Sequence, residues 1–516
     1  MGLLSRIADR FTRKQVVTKY ADAAWHAAGT GRRAHGWYAP NAHVNALLGG
    51  DVQTLRRRSR AEARVNPWAL NAIGVFVDSV VGEGIAPTPI TLSKAFREEI
   101  EAAWLDWVEE CDADGVQDFY GLQAMVVQSY REGGDVFARF RDRQAEDGLS
   151  VPLQLQILES ELVDASYNAL LPGGRRIRAG IEFDPIGRRA AYHMWRQHPG
   201  DYMIAGQQRV AVPAENVLQV FTPTRPGQLR GVPSLSAVLT TLHDLQESND
   251  AKILNQKIRN MLVAIETIPT GDGSVFGNVN TSGAEDDDGD VDVELEPGIS
   301  VKLKPGHDVK FSDPPTGADD HEAFVRNNLR GVAVGSGVTY EGLTSDLAQV
   351  NYSSIRAGTI EQFRRVRAHS RRVLQFQFNR PVFARWLKTA LISGRLKLPA
   401  EERDRVRILM RPKWVAMTGQ KYVNPLQEIK AVALALDLGL TSRTREVPNY
   451  AGVSAVELDR ERVADREREE ELGLPRASQM DTGTENDRDS GAAANKGGGD
   501  AEADDEVEGD DEANAA

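Results

Sequence analysis

The chain has 516 residues, 41% hydrophobic and 7% aromatic, with a formal net charge of −13. That length allows roughly three domains of about 150 residues, and Cys111, the only cysteine, excludes an intrachain disulfide and a cysteine-based zinc site. The acid is unevenly placed: from Arg476 to Ala516 thirteen Asp/Glu face three Lys/Arg, a net of −10, so the rest of the chain carries only −3.

The opening stretch MGLLSRIADRFTRK spaces Leu3, Leu4, Ile7 and Phe11 as a helix would. Arg6, Asp9 and Arg10 interrupt the apolar core that a secretory signal needs, and Arg6 stands where a myristoylation motif requires Ser or Thr. No run approaches 18 apolar residues, so no membrane span is expected. With a lone cysteine, a reducing compartment such as the cytoplasm fits. Residues 1 to 75 hold twelve Lys/Arg against four Asp/Glu, with Arg32, Arg33, Arg56, Arg57, Arg58, Arg60 and Arg64 dominant. They read as a solvated face or as a contact for nucleic acid or an acidic partner.

Helices are predicted at 53–81, 93–111 and 119–133, the last opened by Asp118 as N-cap and closed by Gly133-Gly134. From 135 to 222 the pattern changes to short alternating runs (DVFARFRDR, VPLQLQILE, RIRAGIEFD, AAYHMWRQH, NVLQVFTP) separated by Gly- and Pro-rich turns, which predicts a small antiparallel β unit. Residues 231–268 then carry two apolar stripes, Leu235 to Leu245 and Leu254 to Ile265. About 30 helical residues would reach roughly 45 Å and suit a strut. Between Thr270 and Glu296 there are nine Asp/Glu and no Lys/Arg. An EF-hand reading fails there, because the sixth position counted from Asp286 or Asp288 is valine rather than glycine.

Strand-like SVKLKPGHDVKFSDPP follows, then a helix over about 319–335 and the polar loop SDLAQVNYSSIRAG. A helix over about 353–377 is predicted next, with Ser353 or Ser354 as cap and Pro381 ending or kinking it. PVFARWLKTALISGRL makes a further amphipathic helix, and residues 424–474 make a C-terminal helical unit. The Gly, Ala, Asp and Glu tail cannot bury a core and is expected to be disordered. On the 353–377 helix Arg356, Arg364, Arg367 and Arg371 fall within about 80° at about 100° per residue. They read as an exposed or inter-subunit charged strip, or as a polyanion contact.

Catalytic patterns are missing. The sequence has no G-x-x-x-x-G-K-[ST], no H-E-x-x-H and no G-x-S-x-G elbow, and its nine histidines do not pair with acids at metal-ligand sequence spacing. No catalytic residue, metal or cofactor is expected.

Four segments carry a resemblance: RSRAEARVNPWALNAIGVFVDSVVGEGI (58–85), GVPSLSAVLTTLHDLQESNDA (231–251), FVRNNLRGVAVGSGVTYEGLTSDLAQVNYSSIRAG (324–358) and NPLQEIKAVALALDLGLTSRTREV (424–447). With them, over about residues 20 to 470, the chain resembles the lambda-type family of bacteriophage portal proteins. The resemblance implies an α+β subunit. Its parts would be a basic N-terminal arm (1–55), a wing of helices and a small antiparallel β domain (56–233), a stem helix (234–266), a clip (267–315) and a return helix (316–338). A tunnel loop (339–354), wing helices (355–419), a helical crown (420–472) and the acidic tail (473–516) would complete it.

It further implies a homo-dodecameric ring at one capsid vertex of the virion, assembled in the host cytoplasm and free of catalysis. Double-stranded DNA would pass through non-specifically in packaging and ejection. The terminase large subunit, the major capsid and scaffold proteins, and head-completion or adaptor proteins would be its partners. The channel loop would offer Asp346, Gln349, Asn351 and Tyr352, with Arg356, Arg364, Arg367 and Arg371 on the basic helix behind it. The alternative reading is a metal-dependent nucleic-acid-processing enzyme using acids such as Asp286, Asp288 and Asp290. Those acids sit in a Gly/Asp-rich run rather than at strand ends, which suits a loop better than a two-metal site.

Overall fold

The structure is a computed structural model that describes residues 40–201, 208–266, 299–302, 320–348, 350–417, 425–451, 453 and 455–473. The expected arm before residue 40, the acidic run at 270–296 and the tail after 473 lie outside the described residues.

The predicted 53–81 helix is two helices, α1 (Val44–Val65) and α2 (Pro67–Val81). Asn66 and Pro67 explain the break. A residue before proline is pushed out of the helical region, and Asn66 is extended, with φ −99° and ψ 116°. Its side chain then caps α2, accepting from the backbone N–H groups of Trp68 and Ala69. Strand β1 (Gly84–Thr88) follows, then α3 (Lys94–Val108), capped by Ser93. Helix α4 (Phe119–Gly133) begins at the predicted cap, where Asp118 accepts from Gly121 N–H at 2.6 Å.

These helices enclose an aromatic core. Trp104 meets Trp386 edge-on at 4.9 Å and Phe119 at 5.0 Å, and Phe119 stacks on Phe378 at 5.8 Å. Trp107, fully buried, donates its indole N–H to Leu153 O at 2.7 Å, tying the helices to the next unit. Deleting one such ring costs about 3–5 kcal/mol in comparable cores.

The predicted β unit is present as two antiparallel sheets. One has the order β3-β2-β9, from β2 (Asp135–Asp142), β3 (Leu153–Glu159) and β9 (Val217–Phe221). The other runs β4-β5-β6-β7-β8, from β4 (Ala169–Leu170) through β5 (Arg176–Arg178), β6 (Ile181–Phe183) and β7 (Arg189–Trp195) to β8 (Arg209–Pro213). Successive residues of β2 face opposite ways. Val136, Ala138 and Phe140 join the helical core, while Phe137 joins a second core with Ile181, Tyr192 and Val212.

After β9 the chain passes Gly231, where a Cβ would lie 1.8 Å from Gly134 O, so only glycine permits this crossing. Helix α5 (Leu239–Met261) follows. Leu239, Leu242 and Leu245 are buried, whereas Ile253 and Leu254 are exposed. The expected strut is shorter than its sequence suggested, because Leu262–Glu266 form strand β10 and pair in parallel with β11 (Ile299–Lys302). The run Leu-Val-Ala-Ile fits strand as well as helix, and β-branched Val263 and Ile265 favour strand.

Helix α6 (Asp320–Ser336) leads to a short helix α7 (Tyr340–Thr344) and then to α8 (Tyr352–Ser370). Pro381 neither ends nor kinks the next stretch. Residues Arg371–Asn379 form a π-helix that runs directly into α9 (Arg380–Ile392). The wider turn bonds Arg380 N–H to Gln375 O and leaves Pro381 at the first turn of α9, where a missing N–H is tolerated. Strand β12 (Lys413–Met417) returns to pair antiparallel with β1. The C-terminal helical unit comprises α10 (Pro425–Asp437), α11 (Arg443–Ala451) and α12 (Ala455–Leu472).

Candidate channel loop and arginine helix

The loop between α6 and α8 is built by a sequence of caps. Gly337, at φ +81°, turns the chain and returns its N–H to Ala333 O at 2.9 Å. Thr339 opens α7 by accepting from Gly342 N–H at 3.1 Å. Ser345, in the left-handed region at φ +56°, closes it with its N–H on Glu341 O. From behind, Asn71 of α2 donates to Gly342 O and Leu343 O at 3.0 and 2.7 Å, and Leu343 is buried. Asn351 Oδ1 accepts from Ser354 N–H at 2.9 Å, so the cap of α8 is Asn351 and not Ser353 or Ser354. Ser354 instead donates its hydroxyl to Asn351 at 3.0 Å.

These caps change the roles of the predicted loop residues. Asp346 is half-buried and accepts from Ala348 N–H at 3.0 Å, so its carboxylate shapes the loop. Asn351 is exposed but occupied in capping. Gln349 and the side chain of Tyr352 lie outside the described residues. The group the sequence reading missed is Leu347, 60% exposed at the loop tip. An apolar residue inside SDLAQVN was the available signal.

The four arginines of the predicted basic helix divide as well. Arg356 lies 3.8 Å from Glu428 of α10 and joins the C-terminal helices to this one. Arg364 and Arg365 share Glu361 at 3.0 and 3.2 Å, and the hydrogen bond from Arg364 leads in holding the Glu361 carboxyl below its ordinary range. Arg367 and Arg371 are exposed and have no carboxylate partner among the described residues. The predicted strip is therefore two free cations and two paired ones.

Beneath this helix lies a buried knot that no sequence pattern announced. His369 Nε2 and Tyr130 Oη are 2.8 Å apart, and the His369 ring stands edge-on to Phe76 at 5.1 Å. Burial, reinforced by the nearby Arg131 charge, pushes the imidazole down to about 4. Arg131 has its guanidinium 3.9 Å from the Phe76 ring and donates to Ser336 O, at the end of α6 where the loop begins. Burial lowers Arg131 to about 10, with Tyr130 opposing that shift.

The basic N-terminal run also resolves differently from a polyanion contact at two positions. Arg56 is 2% exposed and, with Arg230, surrounds the buried Asp135 at 3.3 and 2.6 Å. Ser160 and Gln219 donate to the same carboxylate. Burial pushes Asp135 up, but Arg230 and Arg56 outweigh it and hold the group below its ordinary value. Arg60 pairs with Glu161 at 2.7 Å and Glu159 at 3.4 Å.

Histidines that pair with no acid by sequence spacing do so in space: His198 lies 3.0 Å from Glu159, and His193 lies 3.0 Å from Glu182. Glu159, Glu161 and His198 bring ligand atoms within 4.8 Å of one another, a geometry that fits a metal. The Arg60 guanidinium already supplies the cation there. Asp286, Asp288 and Asp290 lie outside the described residues.

The described residues thus form a body of buttressed helices, a two-sheet β unit and a short capped loop. Residues 30–369 match the description "Phage portal protein, lambda family". Among relatives, the "Probable portal protein" of Halomonas phage phiHAP-1 is 26% identical over 82% of each chain. "Portal protein B" of Escherichia phage lambda is 21% identical over 82% of this chain and 86% of its own. Among solved structures, a chain from "Neck of native GTA particle computed with C12 symmetry" is 17% identical, with a TM-score of 0.38, over 83% of this chain and 94% of that one. The chain belongs to the lambda family of phage portal proteins.

Proposed function

We propose that copies of this chain form a closed, twelve-membered ring at one capsid vertex of a phage particle, and that duplex DNA passes through the ring during packaging and ejection. Membership of the portal family over residues 30–369 carries this reading. In it, residues 56–233 and 355–419 form the wing, α5 and α6 the stem, and the region around β10 and β11 the clip. The crown is α10 to α12. The terminase large subunit and head-completion proteins dock on the clip, and shell and scaffold proteins meet the wing. The ring conducts DNA and leaves ATP hydrolysis to its motor partner.

The loop 339–354 faces the channel in this reading. A channel lining repeated around a ring must not hold phosphates, because each phosphate contact adds to affinity and would stall passage. The loop fits that demand. Its tip is Leu347, its Asp346 is spent on an internal cap, and it carries no Lys or Arg. Rigidity comes from behind, through Asn71 and Arg131.

Two measurements test this. Light scattering with negative-stain imaging of the purified protein should give a ring of twelve subunits with a central hole. A stable monomer in the presence of scaffold and shell protein would overturn it. Leu347→Lys should leave the ring intact and lower packaged DNA in complementation; unchanged packaging would remove the loop from the channel.

A further inference from the structure

The two sheets of the β unit pack on Phe137, Tyr192 and Val212, and beside that core they leave a cleft of about 390 Å³. Its lining combines three cations, Arg139, Arg141 and Arg196, with the apolar Leu158, Met194 and Val210. Arg139 and Arg141 alternate with the buried Phe140, so both project from one face of β2. Their neighbours in register are neutral: Gln156 and Val217 for Arg139, Gln154 for Arg141.

None of the three guanidinium groups has a carboxylate partner among the described residues. Two acids on neighbouring elements are already taken, Asp142 by Arg385 at 2.8 Å and Asp164 by Arg209 at 3.3 Å. Burial, then Arg141, hold Arg139 below its ordinary pKa, as expected of crowded cations without an anion.

We propose that this cleft docks the acidic tail of the chain, around Asp504–Glu512, as an extended strand. From Arg476 to Ala516 the tail carries a net charge of −10. Within DDEVEGDDE, Glu506 and Glu508 flank Val507. An extended strand puts the two carboxylates on one face about 7 Å apart and turns the valine to the other. That spacing matches Arg139 and Arg141, themselves two residues apart on a strand. The residues between Gly473 and Asp504 span up to about 100 Å when extended, ample to reach the cleft from the end of α12. A cleft of this size admits a single peptide strand and a few side chains, whereas a DNA duplex would meet only its rim.

Disulfide trapping in the full-length protein tests the docking, since the native Cys111 is buried. Leu162→Cys with Val507→Cys should cross-link about tenfold more than a control pair using the exposed Ile186 in place of Leu162. Arg139→Glu with Arg141→Glu, or about 0.5 M NaCl, should return the yield to control. On a denaturing gel, a cross-linked single chain identifies the chain's own tail and a cross-linked dimer identifies a neighbour's. Equal yield in both pairs, or trapping that survives charge reversal, overturns the proposal. So does a DNA duplex losing affinity on charge reversal while trapping stays at control, which would assign the cleft to nucleic acid. Hydrogen exchange on the unaltered protein needs no cysteine: about 0.5 M NaCl should speed exchange in β8 and the tail together, and unchanged rates overturn the docking.

Discussion

Asp135 and Arg367 sit in regions that treat charge in opposite ways. At the root of β2, two arginines, a serine and a glutamine converge on one fully buried carboxylate. Near the end of α8 and at the start of the π-helix, Arg367 and Arg371 are exposed and have no carboxylate partner among the described residues. The first group locks the β unit to helix α1 and to the approach to α5. The second is exposed, so a partner could reach it. Arginine count alone therefore says little about polyanion binding in this chain; the side chain's burial and its acid decide.

The comparison breaks most decisively at its buried end. Asp135→Ala leaves two guanidinium groups without their anion and should cost about 3–5 kcal/mol in denaturant unfolding. A cost below about 1 kcal/mol would mean that water reaches the pair.

Next in size is the pH response of the knot under α8. His369 is held at about 4 in the folded chain against 6.5 when free. Between those values the unfolded chain binds a proton that the folded chain refuses. Stability is therefore fully present above about 6.5, falls as pH drops toward about 4, and levels off below, a loss of up to about 3 kcal/mol. Unfolding of the wild type and of His369→Gln across that range should show the slope only in the wild type.

A smaller effect is expected at the loop. Asn351→Ala removes the cap of α8 and should cost about 1 kcal/mol, with Asn351→Asp restoring most of it. At the exposed end, Arg367→Ala with Arg371→Ala should move stability by no more than about 0.5 kcal/mol. If this face meets DNA, the same pair should reduce the salt dependence of duplex binding by about one unit per arginine. An unchanged slope would restrict the strip to contacts between proteins.

Local chemistry made part of this legible in advance. Asp118 before an apolar-periodic run placed α4 to the residue, and the alternation in DVFARFRDR and NVLQVFTP marked strands that exist. Asn66-Pro67 carried a break that the apolar period concealed, because periodicity reports which face is buried but not whether the backbone is continuous. The strand at 262–266 was ambiguous for the complementary reason: a short apolar run fits either period, and its partner lies more than thirty residues away. For the candidate site, a polar connection before the arginine helix was expected, but the helix Tyr340–Thr344 within it and the hydrogen bonds of its polar groups were not legible. Asp346 and Asn351 look like free polar groups in a string of letters, and only the backbone N–H groups they cap show otherwise. Arg56 and Arg367 are indistinguishable in sequence, since the partner that decides between them, Asp135, is a long-range contact.

The π-helical stretch at 371–379 acts as a phase coupling. Upstream, α8 presents its free arginines outward; downstream, α9 presents Phe383 and Trp386 inward. The wide turn absorbs the angular mismatch between those two demands, as an inserted residue does in an otherwise regular helix. Removing one residue there would tighten the turn and rotate everything beyond it by about 100°. Trp386 would leave the aromatic core while Arg367 stayed where it was. The wide turn thus sets the phase between the two ends of this helix.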